Sequence, residues 1–178
     1  MKIFFILVFF IINIQSTSLA DDFNFKKIAN VNNPWGSSFI NNEEIIITEK
    51  SGKIKLINVK SKDIIEIKHN LNFLEYGQGG LLDIIYKEKK LWISYTEDRG
   101  NWKTSTSIAK AKFDKKELIF ENIFQAHPPI DSGYHFGSRL AIKDDYLFAT
   151  AGERGQGMIA QDVTKHPGSI IRIHTDGS

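Results

Sequence analysis

Gly133-Tyr134-His135-Phe136-Gly137-Ser138-Arg139-Leu140-Ala141-Ile142 runs into Lys143-Asp144-Asp145 and returns as Tyr146-Leu147-Phe148-Ala149-Thr150. Two apolar-rich arms around an acidic turn read as an antiparallel hairpin. With the hairpin axis on Asp144, Leu140 faces Phe148 and His135 faces Glu153. Directly opposed side chains in such a pair lie about 5 Å apart at Cβ. The register therefore predicts a His135–Glu153 pair at the open end of the hairpin. A carboxylate that accepts from one imidazole nitrogen leaves the other free as a base near neutral pH.

Working outward, almost no segment keeps a 3.6-residue apolar period, whereas short runs of Ile, Phe, Tyr and Thr recur between Gly, Asn, Asp and Lys turns. These runs predict strands at 38–40, 44–49, 53–59, 64–67, 81–86, 90–96, 105–113, 118–125, 139–142, 146–151 and 169–174, and an all-β fold. The hairpin has two earlier counterparts. Gly36-Ser37-Ser38-Phe39-Ile40 leads to Glu44-Ile45-Ile46-Ile47-Thr48, and Gly79-Gly80-Leu81-Leu82-Asp83-Ile84 leads to Lys90-Leu91-Trp92-Ile93-Ser94. Aligned on glycine, the repeats start 43 residues apart (Gly36 to Gly79) and then 58 apart (Gly79 to Gly137). Periods near that length with about four strands each are the pattern of β-propeller blades, and a β-sandwich is the alternative. About three units, the last incomplete, cannot close a propeller, so a partial propeller from a larger protein is expected.

The first residues read differently. Lys2, the apolar run from Ile3 to Ile14 and Ser18-Leu19-Ala20 together form a signal-peptide pattern over residues 1–20, with an uncleaved anchor as the alternative. Residues 21–178 would then be the exported, secreted or periplasmic part, free of the membrane after cleavage. Export fits the absence of any need for reduced thiols, because the chain has no cysteine and packing alone must hold it. Lys and Arg number 23 against 21 Asp and Glu, a net charge of +2 with no basic cluster, which gives no electrostatic case for nucleic acid.

Aligned on the repeats, Gln78 and His135 are the polar residues at the starts of the inner strands, where a propeller presents ligands. Taken alone, Gln78 reads more often as a loop amide and His135 as a structural histidine; the pairing with Glu153 is what raises the functional reading. His69, His127, His166 and His174 have no metal-ligand spacing, so no metal site is expected from the sequence. Gly152-Glu153-Arg154-Gly155-Gln156-Gly157 is glycine-rich but lacks a βαβ context, which leaves it as a loop around Glu153.

Pro34-Trp35-Gly36, Gly77-Gln78-Gly79-Gly80-Leu81-Leu82-Asp83, Tyr95-Thr96, His135-Phe136-Gly137-Ser138-Arg139-Leu140, Gly152-Glu153-Arg154-Gly155, Ala160-Gln161-Asp162 and Gly168-Ser169-Ile170-Ile171-Arg172-Ile173, in that order, resemble the glucose/sorbosone dehydrogenase family. The nearest branch is the soluble aldose sugar dehydrogenases that use pyrroloquinoline quinone (PQQ), and the resemblance covers the N-terminal half of the family's six-bladed propeller. It implies that His135 takes the proton of the sugar C1 hydroxyl while hydride moves to the quinone, and that Glu153 orients His135. It places Gln78, and with less force Gln161, beside substrate or cofactor, and makes Arg139 a structural strand residue. It further implies PQQ and Ca2+, with most of their ligands in later blades, a small sugar as substrate and an electron acceptor that the sequence does not name. A non-enzymatic propeller that binds protein or glycan, with Trp35 and Trp102 as stacking surfaces, is the rival reading.

Overall fold

The computed structural model describes residues 24–178; the predicted signal peptide, residues 1–20, lies outside the described residues. The described chain is all-β apart from one 3-10 turn, Gly157–Gln161. Its strands are β1 (Pro34–Phe39), β2 (Glu44–Glu49), β3 (Lys53–Asn58), β4 (Ile64–His69), β5 (Leu81–Lys87), β6 (Lys90–Asp98), β7 (Thr104–Lys112), β8 (Glu117–Leu118), β9 (Glu121–Gln125), β10 (Gly137–Lys143), β11 (Tyr146–Ala151) and β12 (Ile170–His174). They form three sheets, ordered β1-β2-β3-β4-β8, β5-β6-β7-β9 and β10-β11-β12, and none of the three closes on itself. The predicted single strand over 118–125 is in fact two. Glu117–Leu118 pairs in parallel with β4, and Glu121–Gln125 pairs with β7. The chain changes sheets between them, where the Asn70 side chain holds both the N–H and the carbonyl of Phe120.

The middle sheet is covered on both faces, which is why β6 is buried almost throughout. Alternation decides what each residue meets. Leu91, Ile93 and Tyr95 join Ile46, Ile54, Leu56 and Ile67 of the first sheet in one core. Trp92, one residue out of phase, joins Leu140, Leu147 and Ala149 of the third sheet in a second core. Each fully buried Ile or Leu here contributes about 1.5–3 kcal/mol of burial.

The three inner strands share one irregularity. Each carries a β-bulge in which two residues oppose one on the neighbouring strand: Trp35 and Gly36 oppose Thr48, Leu82 and Asp83 oppose Ser94, and Ser138 and Arg139 oppose Thr150. The opposed residue is a hydroxyl in every case. The second bulge amide donates to it, Gly36 to Thr48 at 3.0 Å, Asp83 to Ser94 at 3.0 Å and Arg139 to Thr150 at 3.0 Å. The hydroxyl then donates onward to the first bulge carbonyl of the next sheet, Thr48 to Leu82 at 2.5 Å and Ser94 to Ser138 at 2.6 Å. The bulges put the repeats in a different alignment from the one the glycines suggest. Pro34, Leu81 and Gly137 are equivalent, at spacings of 47 (Pro34 to Leu81) and 56 (Leu81 to Gly137), so Gly36 corresponds to Asp83 and Arg139 rather than to Gly79 and Gly137.

Replacing Ser94 by alanine strips a partner from the Asp83 amide and the Ser138 carbonyl at once. We expect a loss of about 1–3 kcal/mol in unfolding free energy by chemical denaturation; a loss below about 0.5 kcal/mol, the range of an inert surface change, would contradict the stitching role.

Candidate functional site

The bulge of β10 sets the site. Near the turn the pairs are Leu140 with Ala149 and Lys143 with Tyr146, so the hairpin axis lies between Asp144 and Asp145, half a residue beyond the predicted place. That register alone would miss Glu153. The extra residue at Ser138-Arg139 shifts the pairing to Gly137 with Ala151 and carries His135 back opposite Glu153. There His135 Nδ1 and Glu153 Oε1 are in direct hydrogen-bond contact. An ionised carboxylate only accepts, so Nδ1 carries a proton, and in the neutral imidazole Nε2 keeps its lone pair. The imidazole is about half exposed and Glu153 less so, at 53% and 28% of their side chains.

Two close backbone approaches make this arrangement possible. A Cβ on Gly152 would fall 1.9 Å from the His135 carbonyl, and one on Gly77 would fall 2.3 Å from the Gly133 carbonyl. Glycine lets the 77–78 and 133–135 loops touch, and Gln78 uses that contact. Its backbone N–H donates to the Gly133 carbonyl at 2.7 Å, and its side-chain carbonyl accepts from the His135 N–H at 2.9 Å. His135 (φ 50°), Ser138 (φ 80°) and Arg154 (φ 58°) all stand in the left-handed region. Such positions cost about 1–3 kcal/mol each, and strain of this kind gathers at functional sites.

The electrostatics are local. The bond from His135 is the main cause that holds the Glu153 carboxyl below its ordinary range, helped by the Gly155 amide, which donates to Oε1 at 3.1 Å. Beside the pair lies an opening of about 390 Å³ lined by Asn33, Pro34, Trp35, Lys50, Gly77 and Gln78. The Lys50 ammonium sits there, donating to the Gly77 carbonyl at 2.7 Å and lying 3.6 Å from Glu75. Exposed aromatic rings lie nearby: Trp35 in the lining, Tyr134, whose ring is 6.2 Å from that of His135, and further off Trp102, tilted against Tyr76 at 5.9 Å.

The structure thus brings together His135, Glu153 and Gln78. Gln161 ends the 3-10 turn, is exposed, and shares no hydrogen bond with those three. Arg139 reaches across to the second sheet, where its guanidinium donates to Asp83 at 3.0 Å. Lys50, Tyr134 and Arg154 went unsingled in the sequence. Only Arg154 had a local signal, its place between the acid and Gly155. Among the described residues no group of three or more acidic or histidine side chains is placed to hold a metal ion. The Lys50 ammonium, the Gln78 amide and the Trp35 ring do suit one carboxylate-bearing edge of a planar quinone such as PQQ.

Residues 31–178 match the family model described as Glucose / Sorbosone dehydrogenase. Over 157 residues the chain is 27% identical to the aldose sugar dehydrogenase YliI of Escherichia coli K12, a match over 83% of this chain and 42% of that protein. The crystal structure of the soluble aldose sugar dehydrogenase from Escherichia coli in the apo-form superposes with a TM-score of 0.77 at 26% identity, over 83% of this chain and 45% of that one. The PQQ-bound form of an aldose sugar dehydrogenase from Streptomyces coelicolor shares the fold, with a TM-score of 0.74 at 22% identity over 85% of this chain and 48% of its own. The chain therefore spans less than half the length of each of these relatives.

Because the folded pKa of Glu153 lies below its ordinary value, the pair contributes stability above the ordinary carboxylate range and loses it only as pH falls through the lowered value. A 13C NMR titration of the Glu153 carboxyl is expected to show a midpoint below that of free glutamate, moving back up in His135→Ala. A midpoint at or above the free value in the unsubstituted protein would contradict the bond.

Proposed function

Because this chain belongs to the glucose/sorbosone dehydrogenase family, we propose that it forms part of an exported quinoprotein that oxidises the C1 hydroxyl of aldose sugars by hydride transfer to PQQ. The observation that carries the reading is the His135–Glu153 contact, held through the His135 N–H by Gln78, which also lines the opening beside it. On this reading the three sheets are blades of a six-bladed propeller, of which residues 21–178 supply the N-terminal part. The Thr150 hydroxyl supports it: it has taken the Arg139 amide but donates to no described residue, whereas Thr48 and Ser94 each donate to the next sheet. Residues 1–20, with their signal-peptide pattern, support a secreted or periplasmic location.

The chain's own residues have separable tasks. Glu153 fixes the imidazole tautomer and balances the imidazolium that forms when Nε2 takes the C1-hydroxyl proton. Loss of that proton raises electron density at C1, so hydride can leave and the hemiacetal becomes a lactone. Gln78 holds the His135 backbone through its carbonyl and keeps its NH2 free for a sugar hydroxyl, with Gln161 a further candidate. Trp35 and Tyr134 offer flat apolar faces for a sugar ring. PQQ, when bound, supplies the two-electron acceptor; Lys50 and Gln78 would hold one edge of it. None of these steps depends on a calcium ion.

The exposed Trp35 and Trp102 also favour a second reading, a propeller that captures glycan or protein without chemistry. Dye-linked turnover of aldoses in the presence of PQQ separates the two. The enzyme reading expects turnover, reduced at least about 100-fold in His135→Ala, the share of a general base, in a protein that still unfolds cooperatively with a midpoint lowered only by the loss of the half-exposed pair. Sugar binding without any turnover, or full turnover in His135→Ala, would contradict it.

A further inference from the structure

Arg154 is 2% exposed, yet none of the ion pairs among the described residues includes it. A buried charge ordinarily has a carboxylate partner. Here the guanidinium spends its donors on neutral oxygens instead. Nε donates to the Tyr134 carbonyl at 3.0 Å, one terminal nitrogen to the Thr104 carbonyl at 3.3 Å, and the other to the Thr104 hydroxyl at 2.7 Å and to the Ser132 carbonyl. Its flat face lies over the Phe136 ring, 3.6 Å from the centroid.

These partners surround the base. Ser132 and Tyr134 lead the loop into His135, Phe136 follows it, and Thr104 opens β7 in the neighbouring sheet. Arg154 is itself joined by a peptide bond to Glu153. Only arginine carries five N–H donors in a planar fork and a face that stacks on an aromatic ring; lysine, with a point charge, could hold one or two of these oxygens. Thr106 adds a second tie of the same kind, donating to the Phe136 carbonyl at 3.0 Å. Burial pulls the guanidinium down to about 10, which leaves it charged at neutral pH, so the field of a cation also lies against the loop on both sides of the base.

We propose that Arg154 is the positioning residue of the His135–Glu153 pair: it fastens the loop that carries the imidazole to β7 while its own backbone delivers the acid. The geometry stands by itself; its consequence for catalysis rests on the reading of His135 as the base. A fixed hydrogen bond to a catalytic group matters because a displacement near 1 Å can cost about 100-fold in rate.

The test is the state of the imidazole, read by 15N and 1H NMR of the histidine side chains in the unsubstituted protein, Arg154→Lys and Arg154→Met, with unfolding curves beside them. The expected result is a single Nδ1–H tautomer with a slowly exchanging proton in the unsubstituted protein. In a cooperatively folded Arg154→Met that proton is lost and both tautomers appear, and Arg154→Lys does not restore the unsubstituted spectrum. A folded Arg154→Met that keeps the fixed Nδ1–H overturns the proposal. Should Arg154→Met not fold, Thr104→Val takes its place, since it keeps the arginine and removes the hydroxyl that accepts from it at 2.7 Å; an unchanged imidazole signal there overturns the proposal equally. In the sugar assay, Arg154→Lys is expected to lower kcat about 100-fold with KM unchanged, the mark of lost alignment rather than lost binding. The NMR result needs no turnover, so a failure of the sugar-oxidation reading leaves it intact.

Discussion

One inserted residue in each inner strand governs this molecule. The bulge turns a backbone amide toward a hydroxyl on the adjacent strand, and in the first two sheets that hydroxyl ties its sheet to the next. Buried amides and carbonyls need such partners, and the bulge leaves them without ladder partners of their own. The same insertion in β10 sets the face on which His135 emerges. Fold and site therefore have a common cause: what joins the sheets also brings an imidazole to a carboxylate eighteen positions along the chain.

The surroundings of that pair divide into a rigid floor and an open rim. Below it, Arg154, Thr104, Thr106 and Phe136 are buried and bonded to one another or to the loop backbone. Above it, Trp35, Lys50 and Gln78 border a space open to solvent, and the Tyr134 ring is exposed. A base needs that division, because its orientation must be fixed while its reactive nitrogen remains accessible. Backbone strain at His135, Ser138 and Arg154 is sustained by the packing underneath.

Most of the strands were legible in the sequence because period-two apolar runs and turn residues act locally. Glu44–Glu49 and Tyr146–Ala151 fall where the pattern puts them. The strand over 118–125 was misread because nothing local marks a change of sheet; that break depends on Asn70, fifty residues away. The opposition of His135 and Glu153 was readable only to within the register, since a bulge has no reliable sequence mark. Glycines misled the repeat alignment: Gly79 and Gly137 reflect close approaches of backbone, not equivalent places in the bulge. Arg154 was passed over because its function lies in carbonyls from two other segments, which no spacing along the chain reveals.

On the proposed reading, the site's chemistry comes down to where Nε2 of His135 points once a sugar is present. A crystal structure of the protein with an aldose bound measures this directly. The account predicts the C1 hydroxyl within about 2.6–3.2 Å of Nε2, with Glu153 still on Nδ1. A sugar seated with C1 turned away from the imidazole, or an imidazole released from Glu153 in the bound state, would contradict it.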